Sequence, residues 1–163
     1  PKPFTPFQWA PMARPEIVDE RIKAVRGAIK SRSIVYNYHE QETSFMEAVF
    51  ARGDRRTCDV LIKAFEKGAK FDGWSEYFNM EIWNEAMEEC NLDSEFYVYR
   101  EREYDEILPW DFIDIGVNRK YLERENEKAK KAELTKNCLE GCTGCGINVN
   151  FKEGKCFEGA IRN

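Results

Sequence analysis

Four of the six cysteines fall within the last twenty-six residues, as Cys138-x3-Cys142-x2-Cys145-x10-Cys156. This grouping constrains the fold of the chain more than any other feature. A tight turn between two cysteines aims both sulfurs to one side, so thiolates at such spacings converge on a metal. Gly141, Gly144 and Gly146 interleave with the thiols. Glycine suits a backbone that must fold closely around an ion. A redox pair or a disulfide is the competing reading of the same residues. Ile147–Phe151 alternates in polarity and Lys152-Glu153-Gly154-Lys155 reads as a turn. The spacing therefore predicts a small hairpin that returns Cys156 to the other three thiols. Four sulfurs suit structural zinc, and the same four suit an iron-sulfur cluster.

The rest of the chain has to supply the core. Its 163 residues suit one domain, or one domain with a small appendage. Hydrophobic residues make up 42 % and aromatics 13 %, which is enough to build an interior. The net charge of -5, with both signs mixed along the chain, argues against a broad phosphate-tracking face while leaving room for a local basic patch. No apolar run approaches bilayer length and no segment reads as a secretory leader. Clustered thiols then point to a cytoplasmic protein with no membrane partner. A first residue of Pro1 rather than Met predicts a chain trimmed or cut from something longer.

The opening PKPFTPFQWAPM has prolines at 1, 3, 6 and 11 and carries Phe4, Phe7 and Trp9. Prolines favour extended backbone. Such a strip cannot bury itself, and must lie on the rest of this chain or on a missing surface. Pro15 suits a first helical turn, and Val18, Ile22, Val25 and Ile29 follow at helical spacing. Ile34–Tyr38 is β-favouring and is predicted to be a short strand. Ser44 and Glu47 form a capping box ahead of Met46, Val49 and Phe50. Asp54 caps the next predicted helix, with Cys58, Leu61, Ile62 and Phe65 inward and a stop near Gly68. Asn79 caps another, striped by Met80, Trp83, Met87 and Cys90, and Asp93 opens a turn through Phe96. Residues 99–116 read as irregular, and a charged helix is expected from about Asn118 to Leu134. The fold class expected is mainly α, with one or two short strands and a cysteine-rich terminal knuckle. The expected divisions are an extended leader over 1–14, a helical accessory domain over 15–134 and a metal-binding tail over 135–163.

Outside the tail, chemistry is sparse. Arg52, Arg55 and Arg56 concentrate at a helix junction. They read equally as an anion contact at a helix start and as salt-bridge partners for nearby carboxylates. His39 is the lone histidine and is expected in a surface loop. Cys58 and Cys90 read as small buried hydrophobes. The run Phe71-Asp72-Gly73-Trp74-Ser75-Glu76-Tyr77-Phe78 reads as an aromatic-rich piece of core with hydrogen-bonded turns.

Taken together, PKPFTPFQW, SFMEAVFARGDRR, AFEKGAKFDGWSEYF, REREYDEILPWDFIDIGV and the closing CxxxCxxCG resemble the C-terminal region of a bacterial radical S-adenosylmethionine (radical SAM) family of Fe-S oxidoreductase type. Its members carry a cobalamin-binding-like domain, then a radical SAM barrel with its own CxxxCxxC cluster. The resemblance covers nearly the whole chain. It implies that the leader leaves a late barrel strand, and that the N-terminal radical SAM barrel is the natural partner. It also places S-adenosylmethionine, a 4Fe–4S cluster and cobalamin in parent domains absent here. On this reading the fragment alone is no enzyme, while the parent protein is one. Leu139 stands where such tails carry an arginine. A zinc-knuckle binding module is the alternative, with the arginines, Lys130 and Lys131 contacting RNA or a ribosomal component.

Overall fold

The computed structural model describes residues 1–151. Helix accounts for 46 % of them, and no strand forms among the described residues. The fold is therefore mainly α. The described residues divide into two compact units, one of residues 10–101 and one of residues 1–9 with 102–151.

The first unit holds helices α1 (Pro15–Ala28), α2 (Gln41–Arg52), α3 (Thr57–Glu66), α4 (Met80–Glu89) and α5 (Ser94–Val98). Local signals account for most of these boundaries. Pro15 opens α1 where its missing donor costs nothing. Asn79 Oδ1 accepts from the Glu81 N–H at 2.9 Å and Asp93 Oδ1 from the Phe96 N–H at 3.3 Å, so both expected caps form. The capping box at Ser44 does not, because α2 already starts at Gln41 and the Ser44 N–H bonds the Glu40 carbonyl. Asp54 lies three residues ahead of α3, its Oδ1 accepting from the Arg56 N–H.

Two apolar clusters fill this unit. Met46, Val60, Ala64, Ala69, Trp83, Ala86 and Met87 form one, where α3 packs on α4. Ala48, Val49, Tyr97 and Val98 form the other, where α2 packs on α5. The inward stripe expected on α3 is corrected by this packing. Val60 and Ala64 face the core, while Leu61, Ile62 and Phe65 are at least half exposed and Cys58 is exposed. Small side chains let α3 approach α4 closely, so the larger apolar residues end up beside that contact and outward. Phe71, Trp74 and Tyr77 are also mostly exposed rather than core.

Ile34–Tyr38 is irregular backbone, not a strand. β-branched residues form strands only against a pairing edge, and the described residues offer none. The segment is held to α1 instead, by Arg26 donating to the Tyr38 hydroxyl at 2.7 Å.

The second unit is built on the proline-rich strip. Pro6–Gln8 forms a 3-10 turn, and Trp9 is fully buried with Leu108, Trp110 and Leu122. Of the two surfaces open to this strip, it uses this chain. Buried Gln8 organises the contact, its Oε1 accepting from Trp110 Nε1 at 2.8 Å and from the Phe4 N–H at 3.0 Å. Buried Asn126 donates to the Pro6 carbonyl and accepts from the Tyr104 hydroxyl. Residues 99–116 are irregular, as expected. Helix α6 (Arg119–Lys130) supplies Leu122 and Asn126. Ile147–Phe151 is not the arm of a hairpin, because Ile147–Asn150 forms a short helix, α7, opened by Gly146 at φ 102°. The expected turn over 152–155 and Cys156 lie outside the described residues.

Candidate functional site

The loop before α7 carries Cys138, Cys142 and Cys145. All three are free thiols; the first two are exposed and the third is half-buried. Their loop is tied to α6 at several points. The Asn118 N–H donates to the Cys145 carbonyl at 2.8 Å, and Arg124 donates to the Thr143 carbonyl at 2.6 Å. Gly146 sits against Asn118 so closely that a Cβ there would lie 2.7 Å from its side chain. Glycine is required here on two counts, the close approach and the left-handed backbone.

Cys142 is the best-supported sulfur. The Gly144 N–H donates to its Sγ at 3.4 Å, and Asn148 Nδ2 lies 3.9 Å from it. Donors to a sulfur are the outer contacts that orient and tune a ligating thiol when a metal is bound. The donor set of soft thiols therefore fits zinc or an iron-sulfur cluster by its chemistry. Among the described residues, no three His, Cys, Asp or Glu side chains are gathered around one ion position. The fourth expected ligand, Cys156, lies outside them.

The arginine group does not present one surface. Arg52 is fully buried in α2, donating from Nε to the Tyr97 carbonyl at 2.8 Å and from a terminal nitrogen to the Ala10 carbonyl at 2.9 Å. Arg56 is exposed and clasps Asp54 through Nε and a terminal nitrogen, with its guanidinium 5.5 Å from the Tyr97 ring centre. Arg55 is exposed. Asp54 is held well below the usual carboxylate range, chiefly by the Arg56 side chain, with Tyr97 adding a third donor. Burial, then the Asp54 carboxylate, push the Tyr97 phenol up to about 12.

A cleft of about 570 Å³ in the first unit escaped the sequence reading. Met12, Val18, Phe45, Met80 and Tyr99 supply apolar walls, and exposed His39 and Glu42 stand at its edge. Arg14 bridges Glu95 at 2.7 Å there and lies 4.2 Å over the Tyr99 ring. The cleft draws on four separate stretches of chain, so no local pattern announces it.

No family model matches this chain, and no curated protein or solved structure matches it.

Proposed function

We propose that the chain is the C-terminal accessory part of a radical SAM enzyme of the Fe-S oxidoreductase type, not catalytic alone. In this reading it covers the barrel that carries the chemistry and holds an auxiliary metal at Cys138, Cys142, Cys145 and Cys156. The observation that carries the metal site is the loop of three free thiols stapled to α6, with N–H donors on Cys142 Sγ. Free thiols are the ligands that soft metals take, and N–H donors on a ligating sulfur tune the site. The enzyme context rests on the sequence motifs.

In this role the chain's own residues position and tune. Asn118 and Arg124 fix the loop on a rigid helix. The Gly144 N–H sets charge at sulfur, the means by which a protein adjusts a cluster's potential. A bound cluster would supply electron transfer or a binding position next to the substrate.

Oxygen-free purification with absorption and elemental analysis tests the proposal. A brown protein with broad visible absorbance, iron and sulfide is expected. Colourless protein with stoichiometric zinc would transfer the site to the zinc-knuckle reading. Protein that takes up neither metal would remove both. The coding sequence upstream of this chain should contain the radical SAM barrel; a start codon directly ahead of Pro1 would overturn the enzyme context.

A further inference from the structure

Helix α3 carries apolar side chains on two faces. Val60 and Ala64 are buried against α4, while Leu61, Ile62 and Phe65 stay at least half exposed. The exposed face is not flat. Leu61, Ile62, Phe65, Ala69, Asp72 and Trp83 line a groove of about 390 Å³.

Two of these residues are polar and incomplete. Oδ1 of Asp72 and Nε1 of Trp83 are shielded from solvent, and neither has a hydrogen-bond partner. Trp83 is 5 % exposed, so its indole N–H does not turn to bulk water. Shielded polar atoms in folded proteins are nearly always paired, because an unpaired one bears its whole desolvation cost. Burial pushes the Asp72 carboxyl up, with no opposing charge to bring it down. Several other carboxylates of this unit hold a cation at the surface, whereas Asp72 combines a shielded oxygen with no ion pair. Asp54 holds Arg56, Glu66 holds Lys63, and Glu85 and Glu89 hold Lys67. Lys70 lies over the Phe65 ring, 5.4 Å from its centre, and forms no ion pair with Asp72. Phe71, just before Asp72, sits in the left-handed region at φ 62°, a costly conformation for an aromatic residue and one that gathers at recognition sites.

We propose that this groove docks a segment of a partner protein that lays apolar side chains over Leu61, Ile62 and Phe65 and brings an arginine or lysine to Asp72. The charge argument selects a cationic partner. The three exposed apolar side chains, on two neighbouring turns of α3, select a protein segment over a small cation. An amphipathic helix laid into an apolar groove is a recurrent recognition mode, with its basic residue setting orientation. This docking is independent of the cysteine loop and of any metal bound there.

The test uses the full chain, isotope-labelled, and a short amphipathic helical peptide with leucines along one face and a single arginine among them. Addition of the peptide should shift the Trp83 indole resonance and the Leu61, Ile62 and Phe65 signals. Asp72→Asn and exposed Phe65→Ala should each weaken the peptide by about tenfold. Circular dichroism confirms that both variants fold. Equal binding of a peptide carrying norleucine in place of arginine would overturn the charge argument. Equal binding of butylguanidinium alone would make the groove a small-cation site and overturn the protein partner. Concentration-dependent broadening of the same signals without peptide would assign the face to a second copy of the chain. No shift at millimolar peptide would overturn the docking site outright.

Discussion

The hydroxyl of Tyr97 donates to Oδ2 of Asp54 at 2.9 Å, joining α5 to the turn that precedes α3. Tyr97 is buried, and its carbonyl receives buried Arg52 from α2. One aromatic residue thus links three helical segments. Tyr97→Phe should cost about 1 kcal/mol, the usual net worth of one such bond. Asp54→Ala should cost about 2 kcal/mol, because it removes the Arg56 clasp together with the Tyr97 bond. Urea unfolding of both variants checks the order; Asp54→Ala milder than Tyr97→Phe would contradict the network.

The same pair predicts a dependence on pH at both ends. Asp54 is depressed in the folded state, so its contribution is complete above roughly pH 4, its unfolded value, and is lost as pH falls through the folded value. Tyr97 is raised to about 12. Its contribution is complete below roughly pH 10, the unfolded value, and disappears as pH rises through the folded value. Asp54→Asn should flatten the acid limb and Tyr97→Phe the alkaline limb of a stability–pH profile. An unchanged slope in either variant counts against the assignment.

Arg52 and Arg55 lie three residues apart in sequence and should behave in opposite ways. Arg52→Ala should destabilise by about 3 kcal/mol, since it opens a cavity and strands two carbonyls. Arg52→Lys should rescue poorly, because an ammonium lacks the planar fork that reaches both. Arg55→Ala, at an exposed position, should stay within about 0.5 kcal/mol of the parent. Thermal denaturation of the three variants separates these outcomes.

Two glycines of the cysteine loop test how firmly it is seated. Both have positive φ, Gly144 at 75° and Gly146 at 102°. An added Cβ at Gly144 meets nothing within 4 Å, whereas at Gly146 it collides with Asn118. Gly144→Ala should cost about 1 kcal/mol through backbone conformation alone. Gly146→Ala should cost more and free the loop from α6, seen as faster proteolysis between residues 136 and 146. Equal cleavage of the two variants would mean that the Asn118 contact does not hold the loop.

Maleimide labelling followed by mass analysis reads the thiols directly. In metal-free protein, exposed Cys58, Cys138 and Cys142 should react ahead of half-buried Cys90 and Cys145. Reconstitution with iron and sulfide, or with zinc, should protect Cys138, Cys142 and Cys145 and leave Cys58 reactive. Protection of Cys58 as well, or of none, would exclude the loop as the metal site.

Several features were legible from the residues alone. Pro15, Asn79 and Asp93 announce helix starts because a cap is a bond between near neighbours, formed wherever the chain goes. Tertiary packing decided the remainder. Helix α3 is apolar on two faces, and periodicity cannot say which meets α4; the close approach over Val60 and Ala64 chose. Ile34–Tyr38 has the residues of a strand and, among the described residues, no edge to pair with. Trp9 required burial, but only the fold brought it against Leu108, Trp110 and Leu122, some hundred residues away in sequence. Short-range hydrogen bonds and backbone preferences are written in adjacent residues, whereas the choice of a buried face belongs to whichever distant surface the chain brings against it.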